Sequence, residues 1–174
     1  IVEEGTPHDI YNQPQKYFTM DFMGFANTLW GSVVDYSGDG ITLVLDGREH
    51  HFPVIDGEPI AADELRVCFR PKHARITTST DESTAEEITF DGELQSKSLT
   101  RDFAEYSILH NGTEMMVRSS DTAEADDIPE TGSEVVVAVE KRRLSIFDDQ
   151  GDRIERRDTE TIPQSEVDTS DSFA

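Results

Sequence analysis

His50 and His51 are the one adjacent pair among five histidines, in the run Arg48-Glu-His-His-Phe52. Neighbouring residues on a strand point to opposite faces. The two imidazoles therefore cannot readily close on one metal ion, and zinc sites demand a stricter ligand spacing. The pair reads as exposed histidines on an edge strand, and His8 as a surface residue of a first helical turn. Asp126-Asp127 and Asp148-Asp149-Gln150-Gly151-Asp152 offer carboxylates to a hard cation. The second run lacks the ordered twelve-residue calcium loop, so it reads as a solvated turn, with collection of potassium or sodium at high salt the alternative for either cluster. Cys68 is the single cysteine, inside the apolar run Val67-Cys68-Phe69, and reads as a buried core thiol. It excludes an internal disulfide and a cysteine metal cluster. Arg142, Arg143, Arg153, Arg156 and Arg157 form the main basic cluster. Basic faces carrying aromatics bind single-stranded nucleic acid, but phosphate affinity needs a net positive groove. These arginines stand among carboxylates, so intramolecular pairing is expected and a nucleic-acid partner is not.

No reaction is written in the chain. There is no Gly-x-x-x-x-Gly-Lys-Ser/Thr loop to cradle nucleotide phosphates with backbone amides and a lysine. There is no Gly-x-Ser-x-Gly elbow to present a nucleophile. Catalytic, cofactor-binding and metal-ligating residues are accordingly assigned to none.

The elements are mostly strands. Thr6 is a good N-cap, with Pro7 at the first helical position and Asp9 three residues after the cap. That short helix ends near Gln13, because Pro14 disfavours helix in the residue before it. A second helix from Pro14 carries Tyr17, Phe18, Phe22 and Met23 at helical spacing and stops at Gly24. Alternation then takes over. Strands are expected at Thr28–Tyr36, Ile41–Leu45, His50–Val54, Leu65–Phe69 and Arg75–Thr78. Acidic loops at 78–87 and 119–132 flank further strands at Ile88–Ser98, Phe103–His110 and Met115–Arg118. Glu134–Val139 and Leu144–Phe147 complete the series. Ser37-Gly38-Asp39-Gly40, Asp46-Gly47 and Asn111-Gly112 are hairpin signals. Trp30 reads first as core at the entry to the first strand and second as an interface group. The pattern gives a mainly β chain with about nine or ten short strands in small barrels, preceded by two short helices. Residues 31–78 and 88–147 each supply one set of strands, in tandem or interlocked. Residues 151–174 lose periodicity and read as an acidic tail with the composition of disorder.

Charge bounds the environment. Thirty-seven acidic residues face 15 basic ones, for a net charge of −22. Lys16, Lys72, Lys97 and Lys141 are the lysines; the other bases are arginines. The acids are spread through the strands, unlike a blocky acidic tail. Such a surface suits a salt-loaded cytoplasm, as in halophilic archaea, where molar salt screens repulsion within about 3 Å. An ordinary acidic protein is the alternative. No apolar run of about 18 residues is present to span a membrane.

The order of residues at the start carries a resemblance. Val2-x-x-Gly5-Thr6-Pro7-x-Asp9-Ile10-Tyr11-x-x-Pro14, then Phe18-x-x-x-Phe22-Met23-Gly24-x-x-Asn27, resembles the segment closing the nucleotide-binding domain of importer ABC-transporter ATPases. The subgroup serving sugars, polyamines, ferric iron, thiamine and molybdate is the nearest in pattern. Leu65-Arg66-Val67-Cys68-Phe69-Arg70-Pro71-Lys72 is similar to that family's hydrophobic strand followed by Arg-Pro-Glu, with Lys72 in place of the glutamate. The resemblance implies that residues 1–25 are the tail of the ATPase domain. It further implies that 26–150 form the regulatory TOBE (transport-associated OB) domain, with interlocked OB-like barrels. ATP and Mg would then belong to a domain preceding Ile1, and this segment alone would not hydrolyse ATP. The implied partners are a second copy, through a twofold contact of this domain, and membrane permease subunits. The implied location is the cytoplasmic face of the cell membrane. Trp30, Phe103 and Tyr106 are the large apolar groups offered for the twofold contact. The alternative is a stand-alone cytoplasmic OB-type module that binds a small anion or metabolite.

Overall fold

The computed structural model describes residues 16–22, 25–37, 40–53, 62–77, 86–121, 128–154 and 156. The helix expected at Thr6–Gln13, His8, Asp126-Asp127, Arg157 and the rest of the acidic tail lie outside them. The described chain is mainly β: ten strands and one short α-helix. It forms two compact units, one of residues 1–68 and 144–174, the other of residues 69–143.

The first unit opens with helix α1 (Tyr17–Phe22) and continues with β1 (Asn27–Ser37), β2 (Gly40–Leu45), β3 (Arg48–Pro53) and β4 (Glu64–Phe69). Its sheet runs β10-β4-β1-β2-β3, where β10 is Ser145–Phe147. Alternation decides which residues face inward. On β2, Ile41, Leu43 and Leu45 are buried while Thr42 and Val44 are not. Asp46 and Gly47 take positive φ (52° and 75°) and close the β2–β3 hairpin. Pro53 ends β3 at the sheet edge, where its missing N–H costs no ladder bond. Helix α1 is shorter than expected and its faces differ from the expectation. Met20 is buried against Cys68 and Phe147, whereas Phe18 is 61% exposed.

The second unit contains β5 (Ala74–Thr77), β6 (Glu87–Leu99), β7 (Ala104–His110), β8 (Thr113–Ser119) and β9 (Glu134–Glu140). The sheet order is β5-β9-β6-β7-β8. Val135–Val139 of β9 are buried without alternation, as a strand covered on both faces requires. Ile88, Phe90, Leu94, Tyr106, Ile108, Met115 and Val117 fill the core. Phe69 and Phe90 stack with ring centroids 6.1 Å apart, and His110 meets Phe90 edge-on at 5.4 Å. Asn111 (φ 47°) and Gly112 (φ 80°) make the β7–β8 turn. The sheet curls until Cα atoms of its edge strands β5 and β8 come within 8 Å.

The two sheets do not divide the strands in simple sequence order. β5 follows the first set in sequence but pairs with β9, and β10 follows the second set but pairs with β4. Residues just past 150 remain tied in: Asp152 bridges Lys16, and Arg153 bridges Phe147.

Candidate functional site

Of the exposed apolar groups of the first unit, Trp30 and Val34 share strand β1, whereas Phe18 stands on α1 and Phe25 just before β1. Asn27, Gly31 and the half-buried Val33 set the inward phase of β1, so Trp30, Ser32 and Val34 point outward. Trp30 is 52% exposed and Val34 51%, which corrects the reading of Trp30 as core. Its ring is not bare. The Arg66 guanidinium of β4 lies 5.0 Å from the Trp30 centroid and 4.1 Å from that of Tyr17. Each such contact is worth about 0.5–1 kcal/mol at an exposed site. This stack fastens α1 to the sheet and leaves the other part of the indole to solvent.

In the second unit, Phe103 is half-buried beneath the Arg118 guanidinium, 4.4 Å from its ring centre. Arg118 also pairs with Glu105 at 2.9 Å. Tyr106 is only 2% exposed. It shares the inward phase of Ala104, Ile108 and His110, so it is a core residue and not a contact group in this conformation. Trp30 thus stands in one unit, and Phe103 and Tyr106 in the other.

The other sequence candidates resolve into structural roles. His51 is exposed on edge strand β3, with Nδ1 3.3 Å from Thr42 Oγ1. Among the described residues, no group of three His, Cys, Asp or Glu side chains is placed to hold a metal ion. The Asp148 carboxylate accepts the N–H groups of Gln150 and Asp152, both at 2.9 Å, and so closes its own turn. Asp152 pairs with Lys16. Cys68 is fully buried, 3.6 Å from Thr28 Oγ1. The arginines follow the expected pairing only in part. Arg142 pairs with Glu140 at 2.5 Å. Arg153 donates to Ser145 Oγ at 2.9 Å. Arg156 is buried, donates to the Leu144 carbonyl and lies over the Phe52 ring.

The sequence did not single out one further constellation. Pro71–His73 and Lys141–Arg143 are 3-10 turns. The antiparallel register of β5 and β9, with Ala74 opposite Val139, places both turns at one end of the sheet. Arg70 is 2% exposed. The His73 N–H donates to the Arg70 carbonyl at 3.0 Å, but its side-chain Nδ1 is buried with no hydrogen-bond partner. Burial, followed by the positive charges of Arg143, Lys72 and Arg70, lowers the His73 pKa from 6.5 to about 3. The imidazole is therefore neutral at physiological pH.

Comparison with known proteins bears on this arrangement in two ways. No family model matches the chain. It is 27% identical over 108 residues to the Fe(3+) ions import ATP-binding protein FbpC 1 of Rhizobium meliloti (strain 1021). That stretch covers 62% of this chain and 28% of the relative, so the chain spans less than a third of its length. A crystal structure of the cytoplasmic molybdate-binding protein ModG, with molybdate bound, superposes with a TM-score of 0.53 at 12% identity. It covers 69% of this chain and 94% of ModG. The fold is OB-like. The described strands form two five-stranded sheets, and the expectation of a mainly β, OB-like chain is met. Among the described residues no helix is long and apolar enough to cross a membrane.

Proposed function

We propose that this chain is the regulatory TOBE region of the ATP-binding subunit of an ABC importer. The similarity to an iron-import ATP-binding protein carries the reading, and the OB-like fold supports it. In this reading ATP and Mg act in a preceding domain, and permease subunits hold the whole protein at the cytoplasmic face of the membrane. The regulatory region pairs with its twin and keeps the two ATPase domains together when their nucleotide interface opens. Contact of that kind needs shaped apolar surface and no catalytic group. Trp30 and Val34 on the outward face of β1 supply such a surface. The net charge of −22 suits a host cytoplasm rich in salt.

The coding sequence upstream of Ile1 tests the proposal. A phosphate loop followed by a Leu-Ser-Gly-Gly-Gln signature is expected there. A start codon close to Ile1 would overturn the reading in favour of a stand-alone module that binds a small anion or metabolite. The share of ModG covered by the superposition, 94%, is the observation that favours this second reading.

A further inference from the structure

We propose that the corner formed by Arg70, Lys72, His73 and Arg143 in the second unit binds one chloride ion, with the His73 Nδ1–H donating to it. Four observations carry this. The two 3-10 turns that hold these residues meet at the same end of the β5–β9 pair. Arg70 holds a formal charge at 2% exposure. The Nδ1 of His73 is closed off from solvent and makes no hydrogen bond, which is rare for a buried polar atom and points to a missing partner. Finally, the cations act in concert. Arg143, Lys72 and Arg70 all depress the His73 pKa, so each of the three adds positive potential at the imidazole.

A positive corner is unexpected in a chain of net charge −22. Two carboxylates at that end of the sheet are engaged with other bases. Glu87 and Glu140 stand opposite one another in the β6–β9 register. Glu87 pairs with Arg75 at 2.9 Å and Glu140 with Arg142 at 2.5 Å. Position 72, where the Arg-Pro-Glu pattern carries a carboxylate, adds a lysine instead. A neutral imidazole in its Nδ1–H tautomer is a donor without an acceptor, and a monatomic anion accepts from any direction. Chloride also asks for less room than an oxyanion does and is the anion abundant in a salt-loaded cell. The inference does not depend on the transport reading; it concerns only the second unit.

The test holds potassium constant and exchanges glutamate for chloride, so that screening of the carboxylates stays fixed. The 15N resonances of the His73 ring are followed in the full chain. A saturable shift of Nδ1 with chloride is expected. Arg143→Gln should weaken the apparent affinity about tenfold, as expected for loss of one charge-assisted contact. His73→Phe should abolish the chloride-dependent part of the rise in melting temperature. Crystals grown with bromide should show an anomalous peak beside His73 Nδ1. A linear drift without saturation, an affinity unchanged in Arg143→Gln, or bromide found only elsewhere would overturn the proposal.

Discussion

Gly92→Ala places one methyl group where the second unit has no room for it. Gly92 stands mid-strand in β6, opposite Val135 of β9. Its φ is not in the left-handed region, so the backbone itself accepts alanine. The added Cβ would lie 2.4 Å from Ile108 Cγ2 and 2.9 Å from the Leu109 carbonyl oxygen. Ile108 is fully buried, and the second obstacle is backbone, so neither moves freely. Two effects of opposite sign compete. Replacing glycine by alanine in a regular element stabilises by roughly 0.5–1 kcal/mol, whereas overpacking a core costs about 1–3 kcal/mol. With two obstacles the larger overpacking values apply, and the net loss is about 1–2 kcal/mol. At about 2–4 °C per kcal/mol for a chain of this size, the melting temperature should fall by roughly 2–8 °C. The assay is thermal unfolding in molar KCl followed by circular dichroism. Ile108→Ala removes the clashing Cγ2 and alone costs about 2–5 kcal/mol. In the double variant the two losses should fall short of additivity by about 1 kcal/mol. A Gly92→Ala melting temperature equal to or above that of the parent, or strict additivity, would refute the packing argument.

Four further outcomes are expected. The melting temperature should rise from dilute buffer to molar KCl, because the Debye length shrinks from about 10 Å at 0.1 M to about 3 Å at 1 M; a flat or falling series would remove the salt argument. The purified chain should neither bind ATP by calorimetry nor release phosphate from it, since it has no phosphate loop. It should sediment as a dimer in molar KCl, and Trp30→Glu should weaken that dimer by about 2 kcal/mol, roughly thirtyfold; a monomer up to high micromolar concentration contradicts the twofold contact. His73 should make stability pH-dependent between about pH 3 and 6.5. In that window the unfolded chain binds a proton that the folded chain refuses, so the contribution is full above pH 6.5 and is lost as pH falls, by up to about 1.4 kcal/mol per pH unit. His73→Gln in a chloride-free potassium salt should show a shallower acid loss than the parent, and parallel profiles would refute the shift.

The strands were legible because each carries its own local signal. β2 alternates over the five residues from Ile41 to Leu45, and their inward members are all aliphatic. Asn111-Gly112 and Asp46-Gly47 mark turns whose positive φ values few other residue pairs tolerate. Partner choice was not legible. β5 and β10 are four and three residues long, and period 2 tells which face a residue occupies, not which strand lies beside it. The placement of Trp30 failed for a related reason. The inward phase of β1 is set partly by Asn27 and Gly31, neither of which looks like a core residue in sequence. Gly31 is there because a Cβ would come within 3.1 Å of Leu45 Cδ2, which is a tertiary fact. Tyr106 is the opposite case. It lies two residues from Ile108 on the same strand, so the alternation already placed it inward; its size had suggested a contact instead.

The basic corner shows why charge counting along a chain misses sites of this kind. Arg70-Pro-Lys-His and Arg142-Arg143 are separated by some seventy positions, and each alone is a short basic run. Only the β5–β9 register brings their turns together. Bringing them together costs Coulomb energy that is several-fold larger in a poorly solvated corner than in water. A fold that tolerates this arrangement must offset it, and the distant members of a net charge of −22 do so only weakly at the corner. Distant carboxylates are screened within a few ångströms in molar salt, whereas a counter-ion seated against the guanidinium groups is not. The same salt that quiets the acidic surface would therefore leave the basic corner more dependent on an anion of its own.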